Sequence, residues 1–233
     1  MSKDLFLEEF ARRISAFGWE DGAKYVTIDR YAALTTPIIE SVLRDRIRTI
    51  NQEELGKLPS PSRDEPVNEA LTRLNNEVDL VQILDFIRRG VPVTVGTGRG
   101  SASLILKVID YENLSNNKFF YLHRVKFGET GGSIIEPDFI LYVNGIPIVV
   151  VEIRNKNRIG SYREALEKLR RYEEDAPSLF KYVQLGLAIG DDEFYRPTLP
   201  GYIKSRRDAY RWIVKETGRS DVTRLLEPRV LLD

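Results

Sequence analysis

The chain has 233 residues, of which 42% are hydrophobic and 30% charged, with Lys plus Arg and Asp plus Glu both at 35. This length supports one sizeable hydrophobic core with helical additions, and the equal charges exclude a generic polycation, so any nucleic-acid binding has to come from local basic patches. The chain has no cysteine and a single histidine, His123; disulfides, thiolate zinc sites and His-rich metal sites are therefore excluded, and a reducing cytoplasm is the expected location. No run approaches the roughly 18 apolar residues of a membrane span, and none reads as a signal peptide.

The opening MSKDLFLEEFARRI sets Leu5, Phe6, Phe10 and Ile14 on one helical stripe and predicts a docked helix. Thr36-Pro37 offers a capping hydroxyl followed by proline, and Ile39, Val42, Leu43, Ile47 and Ile50 share a face, which predicts a helix over 37–50. LGKLPSPSRDEP breaks it and leads into two short helices near 66–75 and 78–89, the second stopped by Gly90. From 91 the pattern turns strand-like: VPVTV, SLILKVIDY, KFFYLHRVKF, PDFILYV and IPIVVVEI, separated by GTGRG, NLSNN, GETGG and NG turns, which favours an antiparallel meander. Helical periodicity returns over 161–174 with Ala165, Leu166, Leu169 and Tyr172 as inner stripe, then a strand-like KYVQLGLAI, then a polar helix near 204–216. The fold expected is α/β, a central mixed sheet flanked by helices with N-terminal helical additions. It reads as one unit of three stretches: mainly helical 1–90, a sheet core over 91–193, and a helical extension over 194–233.

Asp138 opens a strand, and the next strand, Ile148 to Val151, runs into Glu152-Ile153-Arg154. Residues two apart in a strand share a face, so Glu152 and Arg154 point the same way beside an apolar, core-forming run. Phosphodiester hydrolysis needs neutralised non-bridging oxygens, a hydroxide near neutral pH and a stabilised leaving oxygen; a divalent metal on two carboxylates beside a cation supplies all three. Alternatively, such carboxylates cap strand ends or pair with arginines. Sharing one metal requires an even offset between Asp138 and Glu152. A two-residue Asn144-Gly145 turn would place Asp138 opposite Val151, so a three-residue connection over 144–146, or a bulge, is expected.

The text IIEPDFILYVNGIPIVVVEIRNKN, followed by SYREALEKLRRYEEDAPSLFKYVQLGLAIGDD, resembles the N-terminal nuclease domain of type I restriction-enzyme R subunits. There, PD, a strand, NG(I/L)P, an apolar strand, ExK and a helix with QxxxY occur in this order. TPIIESVLRDRIRTIN, FIRRGVPV and LKVIDYENLSNNKFF resemble the same family, so the likeness spans roughly residues 30 to 193. It implies a PD-(D/E)xK endonuclease with a restriction-endonuclease-like core, acting on DNA with Mg2+ on Asp138 and Glu152. Tyr172 takes the position of the helical tyrosine. Glu40, on the helix after Pro37, is a candidate third metal carboxylate, because many nucleases of this superfamily carry an acid there; Glu136 is a similar candidate. The resemblance also implies methyltransferase and specificity subunits as partners, no membrane, and ATP only in a longer parent protein whose motor DVTRLLEPRVLLD would approach.

Two positions depart from the family pattern. The ExK lysine is Arg154, which keeps positive charge and grips phosphate but cannot serve as a general base, and the glutamine of QxxxY is Lys168, four residues before Tyr172 and so on its helical face. Either Arg154 holds the scissile phosphate or attacking water, or Lys168 brings a lysine back from the helix. Arg154, Lys156, Arg158, Arg163, Lys168, Arg170 and Arg171 form a basic cluster suited to DNA phosphates, with Lys156, Arg158, Arg163 and Tyr172 as DNA-binding candidates. Gly96 to Gly100 lacks a P-loop ending and reads as a hairpin loop. Competing readings are a catalytically inactive DNA-binding or subunit-docking module of the same fold, and a repair or recombination nuclease of the same superfamily.

Overall fold

The computed structural model describes residues 3–26, 33–59, 62–96, 100–128, 133–198 and 209–233. In chain order the elements are α1 (Lys3–Ser15), β1 (Glu20–Asp21), α2 (Glu40–Ile50), α3 (Gln52–Gly56), α4 (Asp64–Asn76), α5 (Leu80–Arg89), β2 (Val91–Gly96), β3 (Ser101–Leu106), β4 (Phe119–His123), β5 (Phe127–Gly128), β6 (Ile134–Ile135), β7 (Phe139–Val143), β8 (Ile146–Ile153), α6 (Ser161–Asp175), α7 (Pro177–Phe180), β9 (Leu185–Ile189), β10 (Glu193–Pro197), β11 (Ile213–Val214), β12 (Arg219–Ser220) and α8 (Pro228–Leu231), with short 3-10 turns between some of them. They form two compact units: 1–37, 119–142 and 147–233 in the first, 38–118 and 143–146 in the second.

The first unit is a mixed α/β structure on a six-stranded sheet of the described residues, in the order β1-β4-β7-β8-β9-β10. β1 runs parallel to β4, β8 parallel to β9, and β9 antiparallel to β10. β7 and β8 are buried along their whole lengths, as expected of central strands with both faces covered. The antiparallel meander expected from 91 onward is therefore only partial. β2 and β3 pair with each other in a separate two-stranded sheet, and β5 pairs with β6. The step from β8 to β9 is a parallel crossover, possible because the connection carries α6 and α7 and is long enough to return the chain to the same end of the sheet. Leu169 of α6 lies over Gly186 of β9, where an added Cβ would come within 3.3 Å of it.

α1 docks on this unit through Phe6, Leu7, Phe10 and Ile14; Leu7 replaces Leu5 on the expected stripe, and Leu5 is 49% exposed. The Phe10 ring meets Phe139 of β7 at 4.8 Å, and Arg124 pairs with Asp4, fixing the start of the helix. Part of the polar helix expected near 204–216 falls on 199–208, outside the described residues. Over 209–216 no helix forms: Tyr210 bridges to Tyr195, and Ile213–Val214 pairs with Arg219–Ser220 around Gly218 at φ +65°. The middle of GTGRG, 97–99, also lies outside the described residues, between two strands as expected.

In the second unit α2 begins at Glu40, three residues after Pro37, with no side-chain cap; Ile39 donates instead to the Gly145 carbonyl at 2.9 Å. α4 and α5 match the two predicted short helices. Asp79 caps α5 by accepting from the Val81 and Gln82 amides, and Gly90 ends it at φ +96°. The Asn144-Gly145 turn is built into this unit. Asn144 is wholly buried; its amide nitrogen donates to the Val108 carbonyl and the Asn117 side chain, and its side-chain oxygen accepts from the Lys118 amide. At Gly145, φ is +88° and an added Cβ would stand 2.6 Å from the Ile39 carbonyl, so both backbone conformation and space require glycine. Gly145→Ala is expected to cost about 2 kcal/mol or more of unfolding free energy, read as a lowered midpoint in urea denaturation; an unchanged midpoint would contradict this packing.

Candidate active site

The site sits at the C-terminal end of β8 in the first unit. Only two residues, Asn144 and Gly145, connect β7 to β8, and both have positive φ, the geometry of a primed hairpin turn. The three-residue connection expected from the sequence is thus absent, and a regular ladder counted from this turn sets Asp138 opposite Val151. Asp138 nevertheless escapes this parity, because it lies in a bend just before β7 begins at Phe139. Freed from strand alternation, its carboxylate turns along the edge of β8 and accepts the Ile153 amide at 2.8 Å.

Asp138 and Glu152 are 4% and 0% exposed, and the same cations reach both. Arg154 Nη1 contacts Glu152 Oε1, donates to the Ile153 carbonyl at 3.0 Å and stands 3.9 Å from Asp138 Oδ2. Lys3 Nζ is 2.7 Å from Asp138 Oδ1 and 3.8 Å from Glu152 Oε1. Lys168 Nζ donates to Glu152 Oε1 at 2.9 Å. Burial, and then the neighbouring Asp138 charge, push the Glu152 carboxyl above the usual carboxylate range, against the pull of Lys168 and Arg154.

Tyr172 is buried, with its hydroxyl 2.7 Å from the Glu136 carbonyl and 3.4 Å from Glu152 Oε2. A phenol has one proton to give, and the shorter distance directs it to Glu136, fixing the backbone just ahead of the Asp138 bend. Burial and then the Glu152 charge raise the Tyr172 hydroxyl's pKa, so it stays a proton donor. Tyr172 is 5% exposed. Glu136 contributes its carbonyl to this arrangement.

The other sequence candidates are more dispersed. Arg158 pairs with Glu164, Arg163 donates to the Tyr162 hydroxyl at 3.1 Å, and Lys156 stands 3.9 Å from Glu193 and 4.0 Å from Glu9. Glu40 belongs to the second unit, where it accepts from the Asn75 amide at 2.7 Å. Among the described residues no three acidic, histidine or cysteine side chains gather as a metal-ligand set. His123 ends β4 with its ring 6.2 Å from Phe139.

The model for the type I restriction enzyme R protein N terminus matches residues 8–204. The chain belongs to this family. Among its relatives, a Methanocaldococcus jannaschii protein named for the MjaVIIIP endonuclease subunit of a type I restriction enzyme is 34% identical over 229 residues, 97% of this chain and 21% of that protein. The HindI endonuclease subunit of Haemophilus influenzae is 24% identical over 246 residues, 95% of this chain and 22% of its own length. The chain thus spans about a fifth of the length of these relatives.

Two contributors escaped the sequence reading. Lys3 lies 135 positions before Asp138 along the chain, and no local pattern links them. Asp191 holds the start of α6: its carboxylate accepts the Gly160 amide at 2.8 Å, the Ser161 hydroxyl at 3.2 Å and the Tyr162 amide at 3.3 Å. Its signal was visible as the polar pair Asp191-Asp192 closing an apolar strand. The Gly160 amide, above all, holds the Asp191 carboxyl below the usual carboxylate range. A depressed folded-state pKa contributes stability above the unfolded value that is lost as pH falls through the folded value. Asp191→Ala is therefore expected to lower the melting temperature at neutral pH by more than it does in acid, measured by circular dichroism at several pH values.

Proposed function

We propose that this chain is the metal-dependent endonuclease domain of a type I restriction-enzyme R subunit, with a restriction-endonuclease-like core and a PD-(D/E)xK site that hydrolyses DNA phosphodiesters. The observation that carries the reading is the convergence of Asp138 and Glu152, both buried, on shared cationic groups at the end of a central strand. A buried carboxylate pair is electrostatically costly unless cations compensate it, and it stands where the family motif puts its two acids. Relatives across nearly the whole chain bear the name endonuclease subunit.

The oxygen set suits a hard dication. Glu152 Oε1, the Ile153 carbonyl and Asp138 Oδ2 already converge on a single cationic nitrogen, Arg154 Nη1, and magnesium needs only one or two carboxylates when water and phosphate complete its shell. Held there by Asp138 and Glu152, Mg2+ would supply charge neutralisation at the phosphate and a water nucleophile near neutral pH. Arg154, displaced from the carboxylates, has a planar fork for two phosphate oxygens. Lys168 remains on Glu152 and orients it, while Tyr172 fixes the Glu136 to Asp138 bend. Lys156, Arg158 and Arg163 would follow the DNA backbone beyond the site, with contacts indifferent to sequence. The parent subunit would add the ATP-driven motor and associate with methyltransferase and specificity subunits in the cytoplasm. Among the described residues no helix is long and apolar enough to cross a membrane.

A second reading is favoured by the same cations: Lys3, Arg154 and Lys168 together neutralise two carboxylates without any metal, which would suit an inactive DNA-binding or docking module. Nicking of supercoiled plasmid with Mg2+, by the chain or by the R subunit that carries it, separates the two. Asp138→Ala and Glu152→Ala are each expected to abolish nicking; unchanged rates in either would sink the nuclease assignment. Arg154→Ala is expected to slow cleavage about a hundredfold, the scale of one lost charge-assisted contact to the transition state. Lys168→Ala should cost less, and the reverse order would move the phosphate contact to the helix. Tyr172→Phe should reduce the rate while leaving the circular dichroism spectrum unchanged.

A further inference from the structure

One charged side chain at the site comes from outside the motif. Lys3 Nζ lies 2.7 Å from Asp138 and 3.8 Å from Glu152, whereas Lys168 is in ion-pair contact with Glu152 alone of the two. Nor is Lys3 a loose end. The start of its helix is tied down by the Asp4 pair with Arg124, and further along Phe10 packs on Phe139, the residue after Asp138. The helix's far end is held by Arg13 on Asp221, and the following Trp19 donates its indole N–H to the Leu226 carbonyl at 2.7 Å. A cation in the first turn of a helix opposes the helix dipole, so helix stability does not account for a lysine here; the carboxylate pair does.

We propose that Lys3 is a catalytic residue of this site, an inference that rests on the nuclease reading above. It holds the carboxylate pair while no divalent cation is bound, and it contacts the scissile phosphate when one is. An ammonium and a dication compete for the same carboxylate lone pairs, and the dication wins on charge. With a dication held by Asp138 and Glu152, the ammonium, 40% exposed on a flexible four-carbon stem, would be free to reach the scissile phosphate. Helix α1 thereby becomes part of the active site, and the motif's lysine, absent from position 154, has a counterpart arriving from a distant part of the chain.

The test uses the whole chain, with Mn2+ alone as the first probe. By titration calorimetry, Lys3→Ala should bind Mn2+ about threefold to fivefold more tightly than wild type, the order expected on removing one partly exposed competing ion pair, while Lys3→Arg stays near wild type and Asp138→Asn does not bind. In the plasmid assay at saturating Mg2+, Lys3→Ala should cut at least about tenfold more slowly, as for a lost transition-state contact, with its circular dichroism unchanged and most of the rate restored in Lys3→Arg. Equal Mn2+ affinity in Lys3→Ala and wild type would overturn the competition for the carboxylates. Tighter Mn2+ binding combined with wild-type cleavage would overturn the phosphate contact. A wild-type chain that never cuts defeats the nuclease reading and the phosphate contact with it, while the Mn2+ comparison still decides whether Lys3 shares the carboxylates.

Discussion

Glu152 is the group around which the site is organised. It is a carboxylate with no solvent exposure, at the end of a strand buried along its whole length. Desolvating such a charge costs several kcal/mol unless partners compensate, and every polar group near it can be understood as a response. Arg154 reaches it from the same strand face, Lys168 from α6, and Lys3 from α1. Three segments of sequence are thus committed to one carboxylate. The second acid, Asp138, lies against two of these cations, Lys3 and Arg154, and raises the electrostatic load further.

The elements that bring those partners in are themselves fixed by specific polar contacts. α6 is seated on the sheet by Leu169 over Gly186 and started by Asp191, which satisfies amide groups of its first turn. Tyr172, four residues after Lys168, ties the same helix to the backbone before Asp138. One helix face therefore supplies a cation to one acid and a brace to the other. The family text beyond the motif has an equally concrete basis. In LKVIDYENLSNNKFF, Asp110 accepts the Glu112 and Asn113 amides and the Asn116 side chain, and Asn117 links Asp110 to Asn144. These are hydrogen bonds of turns, made by side chains short enough to replace backbone partners.

Long, strongly patterned stretches were legible in the sequence. α4, α5, α6, β7, β8 and β9 lie close to where periodicity put them, and the inner stripe of α6 is the one expected. Boundaries set by a partner elsewhere in the chain were not. α2 starts late because Ile39 spends its amide on Gly145, a contact that capping statistics around Thr36-Pro37 cannot contain. The division into two compact units was invisible because both are interrupted in sequence, the second taking in 38–118 and then the four residues 143–146. No composition shift marks such a boundary. The strands after 91 were found as strands, yet their partners were assigned by adjacency, and the parallel crossover into β9 depends on a helix of the right length rather than on any turn signal.

The sequence by itself determined the chemistry available: two acids, the arginine in the lysine's place, a lysine and a tyrosine on one helical face, and the family that carries this order. Those facts are local, since strand alternation and helical period follow from backbone geometry. Tertiary structure decided which groups share space. Strand parity set Asp138 on the wrong face, and a bend before Phe139 cancelled that parity. Lys3, which no periodicity singled out, lies against both acids. The reason is physical: a buried carboxylate selects its partners by proximity in three dimensions, because attraction between charges depends on distance and burial and is indifferent to the number of residues between them.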